Sequence, residues 1–98
     1  MTAKRVDQNQ PEIVKEFRRM GATVQIISNI GKGCPDIIVG YKGVNYLIEI
    51  KKDEKAKLTP HEEVFFLTWR GQVCKVFCKE DVIKLMEKAD EKNVIAML

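Results

Sequence analysis

Apolar and polar positions along the chain change their period several times, and each change marks an element. Ile13, Val14, Phe17 and Met20 follow helical spacing. Pro11 suits the first turn of that helix and Gly21 its end. Thr23 to Ile27 is a short β-prone run. Ser28 to Pro35, with two glycines and a proline, predicts a loop whose backbone can approach a ligand closely. Two apolar runs follow, Ile37-Ile38-Val39 and Tyr46-Leu47-Ile48, flanking the polar break Tyr41-Lys42-Gly43. Their β-branched content and the central glycine predict strand, turn, strand, ending at Lys52. After the charged loop Asp53 to Lys57, Leu58-Thr59-Pro60 opens a second helix. Thr59 is its N-cap, Pro60 its first position, and Glu62 completes a capping box. That helix carries Val64, Phe65, Thr68 and Trp69 and stops at Gly71. Gln72 to Phe77 predicts a fourth strand, and Glu80 to Ala89 a third helix bearing Val82, Ile83, Leu85 and Met86. The order is α-β-β-β-α-β-α, a three-layer α/β arrangement around a mixed sheet.

The hairpin carries the candidate chemistry. If Lys42-Gly43 is a two-residue turn, cross-strand partners have numbers summing to 85, so Tyr41 faces Val44 and Asp36 faces Glu49. Strand side chains alternate, which puts Glu49 and Lys51 on one side, next to Asp36. Directly opposed like charges destabilise a sheet, so two carboxylates placed this way call for a cation. Carboxylates are hard oxygen ligands of the sort Mg²⁺ prefers. A plainer reading stands beside this one: Glu49 and Lys51 as the solvated face of an edge strand, and Asp36 as a turn residue after Pro35. A three-residue turn would shift the pairing by one, so strand register decides between the two.

Composition narrows the frame. Ninety-eight residues suit one domain, 1–98, with residues 1–8 as a polar leader expected to be mobile. No apolar run is long enough to span a bilayer, and no signal-type segment follows the basic start Met1-Thr2-Ala3-Lys4-Arg5, so a cytoplasmic protein is expected. The three cysteines, Cys34, Cys74 and Cys78, are expected to be reduced and mostly buried. Cys74 and Cys78 have the spacing of a metal half-site, but no second half accompanies them and His61 is the one histidine. A net charge of +3 gives no basic coat, yet Lys32 precedes the acidic residues and Lys51, Lys52, Lys55 and Lys57 follow them. A polyanion passing the sheet end would meet both groups, although such lysines equally serve as ordinary solubilising loop residues. The apolar tail Val94-Ile95-Ala96-Met97-Leu98 is expected to cap the core of its own domain, with burial against a second copy as the alternative.

Taken together, these residues resemble a family. Gly33-Cys34-Pro35-Asp36 with Glu49-Ile50-Lys51 is similar to the G-x-P-D … E-x-K signature of the virus-type replication-repair nuclease (VRR-NUC) domain, a branch of the PD-(D/E)XK superfamily. The first helix ending in Met20-Gly21, the Leu58-Thr59-Pro60 helix start, Trp69-Arg70-Gly71-Gln72-Val73 and the final helix also resemble stand-alone phage members, so the likeness covers nearly the whole chain. It implies a three-layer PD-(D/E)XK nuclease-like fold and a Mg²⁺-dependent endodeoxyribonuclease, with Mn²⁺ able to substitute. Asp36 matches the first acid, Glu49 the second, and Lys51 the motif lysine. The main-chain carbonyl of Ile50 would complete the protein ligands of the metal. Many relatives carry a glutamine four positions after the Leu of Leu-Thr-Pro, where this chain has Glu62. Glu62 is therefore an auxiliary candidate at the metal or a helix cap, the cap being the favoured role. Glu12 is the nearest match to an acid that some relatives place on the first helix, with a solvated first-turn residue as the simpler account.

The same resemblance favours a homodimer acting on branched DNA such as four-way junctions, in a bacterial or phage-infected host cell, without organic cofactor or membrane. Lys32, Lys52, Lys55 and Lys57 are the expected nucleic-acid contacts. Rival readings are a non-catalytic nucleic-acid-binding module on this fold, a sequence-specific restriction-type endonuclease, a small interaction protein without nucleic acid, and a nuclease acting on RNA.

Overall fold

The computed structural model describes the backbone of residues 9–97 and the side chains of residues 9–92. The elements are α1 (Gln10–Arg19), β1 (Thr23–Ile26), β2 (Ile37–Tyr41), β3 (Val44–Ile50), α2 (Pro60–Thr68), β4 (Val73–Val76) and α3 (Lys79–Met97). The predicted order holds throughout. The strands form one sheet in the order β1-β2-β3-β4, antiparallel except for the parallel β3–β4 pair. None of the helices, among the described residues, is long and apolar enough to cross a membrane.

Local chemistry accounts for the boundaries. Gly21 adopts φ +92°, and its N–H donates to Arg18 O while that of Ala22 donates to Phe17 O, 3.0 and 3.1 Å away. These two bonds close α1 in a Schellman turn that only a residue tolerant of positive φ completes cheaply. Lys42 and Gly43, at φ 49° and 82°, form the hairpin turn, whose twist matches that of the flanking strands. Lys42 Nζ and Tyr41 Oη both donate to Asp90 Oδ1, at 2.6 and 2.8 Å, which ties the turn to α3. The third helix was expected to end near Ala89 but continues to Met97, since no Gly or Pro follows Ala89 to interrupt it. The second ends at Thr68, short of Gly71, because Trp69 turns to extended backbone. The leader 1–8 and the packing of the tail side chains of Val94–Leu98 lie outside the described residues.

One face of the sheet is the core. Phe17, Ile13 and Val14 of α1 and Val82, Met86 and Ala89 of α3 pack on Ile37, Val39, Tyr46, Ile48, Ile50 and Val76. Alternation then sends Leu47, Glu49 and Lys51 to the opposite face, where α2 forms the third layer. Gly33 sets how closely α2 approaches. At φ +80° a Cβ there would lie 2.4 Å from His61 O, so the glycine loop presses directly against the first turn of that helix.

Register bears on the carboxylates. Every β2–β3 pair from Ile37↔Ile48 to Tyr41↔Val44 sums to 85, as the two-residue turn requires. The straight pairing of Asp36 with Glu49 does not follow, however. The Asp36 N–H donates to Ile48 O at 3.0 Å, one residue out of step, so Asp36 and Ile37 both stand against Ile48 in the manner of a bulge. On its other side the Asp36 carbonyl still accepts from Ile27 N at 2.9 Å, in step with β1.

Candidate metal and nuclease site

The ends of β1, β2, β3 and β4 that carry Ile26, Ile37, Ile50 and Val76 lie together at one end of the sheet. Asp36 and Glu49 gather there, 3 % and 2 % exposed. The slip at Asp36 gives its carboxylate a defined place, with Oδ2 accepting the Ile50 N–H at 2.8 Å. A backbone carbonyl would take that N–H if the ladder ran on, so the side chain ends the pairing. Within a strand the N–H and C=O of one residue point the same way, so the Ile50 carbonyl is directed to the Asp36 side.

Lys51 comes from the same strand end, anchored by its N–H to Val76 O at 2.9 Å. Its Nζ lies 3.6 Å from Glu49 Oε2 and 2.7 Å from Glu62 Oε1. Burial works against the Lys51 charge, but the Glu62 hydrogen bond and the field of Glu49 outweigh it, and the ammonium is held above its usual range. Glu62 mirrors this. Burial would raise its carboxyl, yet Lys51, the Thr59 N–H and contact with Glu49 bring it below the usual range. Glu62 also caps α2, for its Oε1 accepts from Thr59 N at 2.8 Å while Thr59 Oγ1 accepts from Glu62 N at 3.3 Å. Glu62 thus caps α2, the favoured expectation, and the same oxygen also holds the Lys51 ammonium.

Among the described residues no three His, Cys, Asp or Glu side chains are gathered as a ready-made metal cage. The donor set nevertheless fits a hard divalent cation. Asp36, Glu49 and the Ile50 carbonyl offer only oxygen. Glu49 and Glu62 lie in contact with each other and share one ammonium, that of Lys51. Such a group needs a proton or a cation between its members.

The remaining expected residues sit further out. Lys52, Lys55 and Lys57 are exposed in the loop after β3. Lys32, also exposed, rims a groove of about 400 Å³ with His61, Val64, Phe65 and Thr68. Glu12 stands exposed in the first turn of α1. The three cysteines are free thiols, half-buried rather than buried, and burial pushes the Cys74 thiol up.

Sequence reading missed Asn9. It occupies the N-cap of α1 without a side-chain cap bond. Its Nδ2 instead donates to Lys51 O and Phe77 O, both at 2.9 Å, pinning the ends of β3 and β4 beside the candidate site. An Asn before Gln-Pro reads locally as a helix start, so nothing in the sequence announced this long-range bond.

A mixed sheet with an acid at the start of β2 and an E-x-K pair at the end of β3 has the architecture of the PD-(D/E)XK nuclease class. Among solved structures the chain is similar to one described as a VRR_NUC domain. Their identity is 34% and their TM-score 0.64, over 80% of this chain and 89% of that one. The chain belongs to the VRR_NUC domain family, a family of nucleases. No family model and no curated protein matches it.

Proposed function

We propose that this chain is a divalent-metal-dependent endonuclease acting on DNA phosphodiester bonds, with Asp36, Glu49 and Lys51 as its catalytic residues. The observation that carries the reading is two buried carboxylates at one sheet end of a VRR_NUC fold, Asp36 bound to the Ile50 N–H and Glu49 beside the Lys51 ammonium. Asp36, Glu49 and the Ile50 carbonyl would hold the ion, and Mg²⁺, or Mn²⁺ in its place, would supply Lewis-acid activation of water and neutralisation of phosphate charge.

Lys51 acts by electrostatics rather than as a base, because its partners favour the charged form. From its place beside Glu49 it orients the attacking water or steadies the negative charge that develops on the phosphate. Glu62 holds the ammonium in position. Lys32, Lys52, Lys55 and Lys57 take the flanking phosphates, which fixes register without reading bases.

A branched duplex is the proposed substrate and a C₂ homodimer the proposed form, since cutting both strands of a junction needs two centres. The proposed location is the cytoplasm. The test compares cleavage of a four-way junction, a flap, a linear duplex and a single strand with Mg²⁺, Mn²⁺ or chelator, alongside the mass in solution. Junction cleavage by a dimer that stops with chelator is expected. Equal rates on all four would remove the structure selectivity, and no cleavage with either metal would remove the nuclease reading.

A further inference from the structure

Between α1 and the free edge of β1 runs a groove of about 370 Å³ lined by Gln10, Pro11, Val14, Lys15, Arg18 and Ile26. Its floor is apolar, and Ile26 is half-exposed there although it points to the core side of the sheet. Lys15 and Arg18 are exposed along its length. Arg18, itself exposed, donates from Nη2 to Val24 O of β1, 3.4 Å away, so its side chain extends from α1 toward that strand.

Gln10 supplies the second observation. The residue is 4 % exposed, and its Oε1 is buried without a hydrogen-bond partner among the described residues. A buried amide in that state is rare, and a bound group that pairs with it is one established reason for keeping it. A half-turn of the amide exchanges acceptor for donor, so it can serve either kind of ligand atom.

The groove opens at the end of the sheet that holds the candidate site. Ile26 pairs with Ile37, the neighbour of Asp36, and Gln10 follows Asn9, which bonds to the Lys51 carbonyl. We infer that this groove binds the nucleic-acid strand beyond the cleaved bond. A phosphate lies between Lys15 and Arg18, the sugar on Pro11, Val14 and Ile26, and a polar edge of the nucleotide against the Gln10 amide. The inference rests on the nuclease reading above and adds to it a second stretch of strand contact, made by α1 and β1 and not by the loop after β3 that carries Lys52, Lys55 and Lys57. An anionic polymer with flat, partly apolar units fits a groove of two cations over an apolar floor.

The test measures binding of a short fluorescein-labelled duplex, and of its single strand, to the full chain with Ca²⁺ in place of Mg²⁺ over a series of salt concentrations. The K15Q/R18Q double variant is expected to flatten the log–log salt slope by about 0.7–0.9, the share of one phosphate. Gln10→Leu is expected to weaken binding at every salt with the slope unchanged. Should Gln10→Leu fail to fold, K15Q/R18Q decides alone, because both of its residues are at the surface. A wild-type slope retained in K15Q/R18Q would overturn the groove and leave the nuclease reading standing. A wild-type protein that neither binds the DNA nor cleaves it would overturn both.

Discussion

Lys51 Nζ lies 2.7 Å from Glu62 Oε1, nearer than the 3.6 Å that separates it from Glu49 Oε2. The motif lysine is therefore held from outside its own motif, by the residue that also caps α2. Glu62→Gln keeps an oxygen for Thr59 N and preserves the cap, but removes the charge that draws Lys51 away from Glu49. Lys51 then competes with the ion for Glu49. Half-maximal cleavage is expected to need roughly tenfold more Mg²⁺, as when a residue that orients metal ligands is lost. A Mg²⁺ titration of cleavage rate checks this, and an unchanged midpoint would refute it.

The pair also has a pH signature. The Glu62 carboxyl is lowered from 4.5, so its contribution to stability is full above that value and is lost as pH falls through the lower folded one. The Lys51 ammonium is raised from 10.5, so its share is full below that value and is lost as pH rises through the higher folded one. Wild-type and Glu62→Gln stabilities are expected to differ by a constant amount through neutral pH. The gap narrows below pH 4.5, where Glu62 begins to gain protons in the unfolded chain. Urea denaturation at a series of pH values measures the gap.

Asp36 serves the fold as well as the proposed chemistry, since its Oδ2 takes the Ile50 N–H. Asp36→Asn retains an oxygen there and is expected to fold normally while losing cleavage. Asp36→Ala leaves a buried N–H without its acceptor and is expected to cost a further ~1–3 kcal/mol. Thermal melts and cleavage assays of the two variants side by side separate the effects. Cleavage near the wild-type rate in either one would overturn the assignment.

Lys51→Met abandons Glu49 and Glu62 as neighbouring buried carboxylates. Removing one partner of a buried ion pair costs about 3–5 kcal/mol, so a loss of that order at neutral pH is expected together with loss of cleavage. Acid should return part of the stability, because protonation relieves the repulsion. A loss that does not shrink between pH 7 and 5 would show that Lys51 is not what neutralises these groups.

Gly33→Ala tests the contact between loop and α2. Positive φ costs roughly 1–2 kcal/mol for a residue with a Cβ, and the methyl would lie 2.4 Å from His61 O, so the helix must shift. A stability loss of about 2–4 kcal/mol is expected. Cleavage should fall in parallel, as Glu62 leaves Lys51. Gly21→Ala strains φ alike but has nothing within 4 Å of its Cβ, so it is expected to lower stability while sparing cleavage.

The sequence by itself determined what depends on neighbours in the chain. Helical spacing in α1, the Thr59–Glu62 capping box, the Lys42-Gly43 turn and hence the 85-sum register are local, and each is present as read. Tertiary structure decided the rest. The slip at Asp36 arises where β2 must pair with β1 and β3 at once, and it turns an expected face-to-face pair of acids into a carboxylate bound to the Ile50 amide. The dual role of Glu62 needs α2 to lie against β3, and the Asn9 anchor joins residues 42 and 68 positions apart. Such contacts are set by packing between elements, whereas the spacing of residues along a chain fixes only which face of its own element each one occupies.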